Sequence, residues 1–279
     1  MQISKKLKNI NKVCFFLLIC FFLKLAWVSN ALDIKGDFIQ GGLLFGKTDL
    51  DDILFYNSKK VPIDETGEFL IGLGRKHPIF GELKVIKPTS ETIIKKIEIK
   101  QREYKIQKIN NLEKSKVNPP EKFFERIKQE VIKIKKAKSF EVNRSHYHSG
   151  FEMPALGIIT GVYGSQRILN GIPKRPHYGI DIANKLGTPI LAPSDGVVVL
   201  AEKNLYFSGG TVIISHGRGL TSSLLHLKDI FVHENNIIKK GQVIGLMGDT
   251  GRATGSHLDW RMEIRGVRID PHLLIKKNN

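Results

Sequence analysis

Cysteine is nearly missing from this chain of 279 residues, and its two examples, Cys14 and Cys20, sit together in one apolar run near the start. Beyond that run disulfide staples, thiolate metal sites and cysteine nucleophiles are therefore excluded. Long hydrophobic runs are also scarce. Val13 to Leu23 is apolar, but Lys24 interrupts it before Leu25 to Val28, which falls short of the roughly 18 residues expected of a spanning helix. With the basic start MQISKKLKNINK before it and Ser29-Asn30-Ala31 after it, the stretch reads as an export signal over residues 1–31, cleaved after Ala31, with a retained membrane anchor as the alternative. No segment repeats at the length that marks a solenoid.

Acidic residues are outnumbered, 27 against 44 Lys and Arg, for a formal net charge of +17. The excess is uneven: residues 87–138 carry 16 basic side chains and 7 acidic ones. In an exported protein such charge suits an anionic polymer or a membrane surface. Nucleic acid is not an expected partner, because no recognisable binding module accompanies the charge and export argues against it.

What is present is a globular composition with 41% hydrophobic residues, enough for one large or two modest domains. Residues 32–110 read as a small β-rich domain, with Gly41-Gly42, Asp64 to Glu68 and Gly72-Leu73-Gly74 punctuating short apolar pieces. Residues 111–150 read as a basic helical linker. There Pro119-Pro120 opens a helical pattern to about Lys138, with Phe123, Ile127, Val131 and Ile134 forming the packed stripe. His146-Tyr147-His148 follows in a loop and is expected to face solvent. Residues 151–279 change texture to short β-branched strands between Gly and Pro turns: 158–162, 180–182, 196–201, 211–215, 222–227, 242–247 and 258–264. The fold class expected is mainly β, with a C-terminal antiparallel sandwich or barrel-like sheet.

Chemistry concentrates on that sheet. From His257 onward the chain alternates, so Leu258, Trp260, Met262 and Ile264 face a core while His257, Asp259, Arg261 and Glu263 face the other way. His177 and Asp181 share a parity opposite to that of Tyr178, Ile180 and Ile182. A third strand brings His226. Two strands each offering an imidazole and a carboxylate, with a further histidine, form the inventory of a catalytic zinc site with acid/base groups beside it. His216, before a Gly turn, reads as a structural neighbour, while Arg261 and Glu263 are candidates to orient ligands from behind.

These residues, with Gly164-Ser165-Gln166-Arg167, Gly187-Thr188-Pro189, Ala192 to Gly196, His216 to Gly219, Lys240-Gly241-Gln242 and Thr250 to Gly255, resemble the LytM/lysostaphin-type zinc metalloendopeptidases over roughly Pro154 to Leu274. The resemblance implies the duplicated hybrid motif fold and hydrolysis of peptide bonds in peptidoglycan stem peptides or crosslinks, in the periplasm. From Gln40-Gly41-Gly42 through Arg102 and Gln107 the chain also resembles the amino-terminal domain of Gram-negative members, a place for inhibition or for envelope and cell-division partners. Carried over by position, one Zn²⁺ ion would be held by His177, Asp181 and residue 259, and His226 and His257 would be the acid/base pair. The family's His-x-His here reads His257-Leu258-Asp259. Carboxylate oxygen reaches zinc at nearly the imidazole distance, but two carboxylates cancel the formal charge of the ion, implying a less acidic bound water, slower hydrolysis or altered metal preference. The rival expectation is an inactive LytM-like domain that binds cell wall or activates another murein hydrolase.

Overall fold

Alternation of apolar and polar side chains decides this architecture, because each strand can bury only one face. The computed structural model describes residues 32–111 and 114–275; the export signal expected over residues 1–31 lies outside them. Among the described residues no helix is long and apolar enough to cross a membrane. The chain is mainly β. Its largest sheet has the spatial order Ile237–Ile238, Gly196–Leu205, Gly209–Gly217, Leu220–Ile230, His257–Ile264, Gly179–Ala183 and Ile158–Gly161. Neighbours along this path pair antiparallel. All seven strands expected after residue 151 are present, several of them longer than the sequence suggests.

Leu258, Trp260, Met262 and Ile264 are almost wholly buried, in one core with Ile180, Ile182, Val212, Ile214 and Leu224. Each such side chain contributes about 1.5–3 kcal/mol by leaving water. The tryptophan meets its one polar requirement by donating from Nε1 to Ser222 Oγ at 3.2 Å.

Residues before 110 form a four-stranded sheet (Lys59–Val61, Ile53–Tyr56, Phe80–Ile86, Thr92–Glu98) and a three-stranded one (Asp33–Gly36, Leu43–Lys47, Glu68–Gly72). Leu43 and Leu70 enter the same core as the large sheet. Arg102 pairs with Asp270 at 2.8 Å, and Ile106–Ile109 runs parallel to Gln166–Leu169.

Two expectations about the linker are corrected. A 3₁₀ turn at Glu121–Phe123 leads into an α-helix at Phe124–Lys138, but Val131 is 57% exposed instead of packed. Ile134 and Ala137 pack against Leu200, Leu205 and Ile213. Polar ties hold the rest: Arg126 donates to the Asn204 carbonyl, Glu130 accepts from the Tyr206 amide and Lys133 pairs with Glu202. His146-Tyr147-His148 does not simply face water either. A 3₁₀ turn over His146–Ser149 buries His146 and Tyr147 and brings His148 to Glu68 at 2.8 Å.

Candidate metal centre

The register of three strands assembles the site. Asp181 stands directly opposite Asp259, and Gly179 opposite Arg261, across the Gly179–Ala183 and His257–Ile264 strands. Opposed residues in an antiparallel pair project to the same face a few ångströms apart, and two like charges so placed repel unless a cation joins them. On the far side Gly161 is opposite Asp181. A Cβ at Gly161 would fall 2.2 Å from Asp181 Oδ2, and one at Gly179 would fall 2.8 Å from Asp259 Oδ1. Both glycines thus leave room for a carboxylate.

His177 precedes its strand and is fixed by two backbone hydrogen bonds, its amide to the Ser165 carbonyl and its carbonyl to the Gly164 amide. His177, Asp181 and Asp259 are 2%, 5% and 1% exposed, and one potential ligand atom of each lies within 4.8 Å of the others. His177 Nε2 is 3.1 Å from Asp181 Oδ1. Yet among the described residues neither ring nitrogen of His177 nor Asp181 Oδ1 has a hydrogen-bond partner. Orphaned buried donors and acceptors are costly and rare in native proteins. A cation bound by imidazole nitrogen and two carboxylate oxygens would satisfy them, so the donor set fits a metal such as zinc.

Each carboxylate also has its own arginine. Arg167 donates to Asp181 Oδ2 and, from Nε, to Gln107 Oε1 at 3.3 Å. Arg261 lies along Asp259, with Nε 3.0 and 3.1 Å from the two oxygens and a terminal nitrogen 2.5 Å from Oδ2. Burial alone would raise the Asp259 carboxyl, but the Arg261 guanidinium outweighs it and holds the group well below the usual carboxylate range. Burial and Asp259 also push Asp181 up, and His177 with Arg167 turns the net shift downward. Both are ionised at neutral pH.

His226 reaches the site by an irregularity. By parity it would join Ser222 and Leu224 on the core side. Instead the pairing slips between Gly210 and Thr211, opposite Leu227 and Leu225, so that His226 is the extra residue of a bulge, with φ at 68°. Bulges re-aim side chains in this manner. The ring then lies 4.7 Å from that of His257, centroid to centroid. His226 Nδ1 donates to the Thr250 carbonyl at 2.7 Å and His257 Nδ1 to the Gly255 carbonyl at 2.8 Å. These bonds fix the tautomer of each neutral ring and leave Nε2 as the basic nitrogen. Burial lowers His226 to about 4. Thr250 itself is pinned by donating to the Leu227 carbonyl and accepting from the Gly210 amide, both at 2.9 Å.

Of the three side chains expected around the ligands, Arg261 alone hydrogen-bonds one of them among the described residues. His216 is fully buried, with Nδ1 donating to the Asp195 carbonyl at 2.8 Å and Nε2 accepting from Ser222 at 2.7 Å. Glu263 shares the face of Asp259, but its carboxylate is held by Lys138 at 3.0 Å and Arg268 at 2.8 Å. A cleft of about 310 Å³ opens on Asp181, His226, His257 and Arg167. His226 and His177 also line a larger adjoining cavity of about 1220 Å³ with Arg252, Arg261 and Arg268. The parts that sequence reasoning missed are the two glycines, Thr250 as the His226 anchor and the pairing of Arg167 with Asp181; Arg261, expected to orient a ligand, does so on Asp259.

Comparison with known proteins bears on this geometry. A model of peptidase family M23 matches residues 175–271. Peptidoglycan DD-endopeptidase ShyA of Vibrio cholerae is 42% identical over 106 residues, covering 37% of this chain and 24% of that protein. The DD-carboxypeptidase/endopeptidase Mpg of Neisseria meningitidis is 38% identical over 97 residues, 35% of this chain and 22% of that one. The chain thus matches about a quarter of the length of these curated relatives. A solved structure of a Pseudomonas aeruginosa protein assigned to peptidase M23 superposes with a TM-score of 0.65 at 25% identity, covering 85% of this chain and 94% of its own. That likeness extends well beyond the matched segment into the amino-terminal sheets.

Proposed function

We propose, because a model of peptidase family M23 matches residues 175–271, that the chain is an exported, zinc-dependent endopeptidase acting on peptide bonds of peptidoglycan stem peptides or crosslinks. One observation carries this reading: ligand atoms of three buried side chains converge, those of His177 and Asp181 without a hydrogen-bond partner among the described residues, beside two histidines whose Nδ1 hydrogen bonds leave Nε2 unprotonated. His177, Asp181 and Asp259 would hold the zinc ion, which when bound would supply Lewis acidity for hydrolysis. The chain's own groups do the rest. His226, neutral at physiological pH because burial holds it at about 4, and His257 are placed to take the proton of the attacking water at Nε2; the ring so protonated then has an Nε2–H to offer the developing oxyanion and to pass to the leaving amine, each effect being worth on the order of a hundredfold. Thr250 and Gly255 keep those rings in the tautomer that the relay needs. The open cleft admits a polymer, and its arginines favour substrates bearing carboxylates.

The test is digestion of purified peptidoglycan by the zinc-loaded protein, with mass spectrometry of the released peptides. Loss of crosslinked species, abolished by chelation and restored by zinc, is expected. A protein that holds zinc in stoichiometric amount yet releases no peptide would transfer the reading to a wall-binding or hydrolase-activating domain.

A further inference from the structure

A site with two carboxylates and a neutral imidazole leaves a divalent ion with no formal charge, which weakens it as an electrophile. The surroundings of Asp259 alter that sum. Arg261 lies two residues further along the same strand, so its side chain leaves from the same face, and its planar fork contacts both oxygens of Asp259 side-on. The carboxylate is buried on every side, and Gly179 is the surface on which the pair rests: a Cβ there would lie 2.7 Å from Arg261 Cγ as well as 2.8 Å from Asp259 Oδ1. Asp181 takes its counter-charge separately, from Arg167. Arg261 is therefore committed to Asp259.

We propose that Asp259 and Arg261 act as one electrically neutral ligand unit, in which Asp259 supplies the oxygen and Arg261 cancels its charge, so that the pair takes the electrostatic place of a histidine. The proposal rests on the reading of His177, Asp181 and Asp259 as metal ligands. Arg261 is a positioning residue that lowers metal affinity in exchange for a more electrophilic ion. Two roles for it can be told apart by sign. As a charge-cancelling partner it repels the ion, and its removal tightens binding. As a mere clamp on the carboxylate its removal loosens binding.

Competition titration of zinc and cobalt into the full chain decides between them. Arg261→Met is expected to bind both ions on the order of tenfold more tightly than wild type, since a cation beside the ligand is removed from a partly desolvated site. Its melting temperature is also expected to rise more on metal addition, because the metal-free variant holds a buried carboxylate without a counter-ion. Arg261→Lys, which keeps the charge, should stay near wild type. In a second background, Asp259→His alone strands the Arg261 cation beside a neutral ligand, so it should bind zinc more weakly than Asp259→His combined with Arg261→Met. The visible spectrum of bound cobalt, unchanged in intensity between wild type and Arg261→Met, would show the same coordination number. Weaker binding by Arg261→Met, or an Asp259→His affinity indifferent to Arg261, overturns the neutral unit while leaving the ligands in place. No uptake of zinc or cobalt by wild type or any variant overturns the ligand reading and the unit together. Should Arg261→Met fail to fold, the comparison within the Asp259→His background carries the same sign test.

Discussion

Holding a non-glycine residue at positive φ costs about 1–3 kcal/mol, and His226 is so held at the point where its strand slips register. The slip turns the imidazole out of the core and against His257, and Thr250 accepts its Nδ1 proton. Strain, tautomer and placement converge on one nitrogen, Nε2. His226→Gln keeps much of the volume but has no basic nitrogen there. Its kcat on a crosslinked muropeptide is expected to fall about a hundredfold or more, with zinc content unchanged because residue 226 supplies no ligand. Retention of activity within tenfold, measured by chromatographic quantitation of cleaved dimers, would remove His226 from the proton relay.

At the scale of elements the site depends on three strands, two of which set a glycine, Gly161 and Gly179, against its carboxylates. Gly179→Ala puts a methyl group 2.4 Å from the Trp260 carbonyl oxygen and against Asp259 and Arg261, so the strands must separate or the carboxylate must move. Overpacking of this kind costs about 1–3 kcal/mol, and zinc affinity should fall more than tenfold with it. Gly74→Ala, where the nearest atom is Val267 Cγ1 at 3.5 Å, is the control expected to change neither; equal losses in both variants, by denaturation and zinc titration, would refute the cradle. Much of this was legible beforehand. Alternation along 258–264 and 180–182 placed Leu258, Trp260 and Ile180 in the core, and the same parity put Asp181 and Asp259 on the opposite face. What alternation cannot encode is an exception to itself. By alternation alone His226 would fall on the core side with Ser222 and Leu224, and only the resemblance placed it in the acid/base pair; the Arg167 partner of Asp181 comes from a separate strand, whereas Arg261 follows Asp259 on the same one. The linker helix misled for a related reason: its apolar spacing marks a stripe, but only a tertiary neighbour such as Leu200 or Ile213 decides which part of the stripe is covered.

Across the whole molecule the buried titratable groups around the large sheet are biased in one direction. Burial raises the carboxyls of Asp181, Asp259 and Glu263, and neighbouring cations outweigh it so that each ends below its ordinary range. Burial brings His216 and His226 down to about 4. In acid the unfolded chain therefore binds more protons than the folded one, and stability rises with pH through the interval between the two sets of values. For the histidines that interval runs from 6.5 down to about 4: their stabilisation is present above 6.5 and lost as pH falls to 4. His216 shows why. Its Nε2 accepts the Ser222 hydroxyl proton while Nδ1 donates to the Asp195 carbonyl, so a second ring proton breaks a buried hydrogen bond and places a charge in the core. The loss from this group is on the order of 3 kcal/mol across the interval. Urea denaturation of the metal-free chain should show stability falling steadily between pH 6.5 and pH 4. In His216→Gln, which has no proton to gain, the slope should be shallower by about 1 kcal/mol per pH unit. An identical slope in the two proteins would mean that the His216 ring is already protonated in the core or is free of the penalty, and that the acid sensitivity resides in the carboxylates alone.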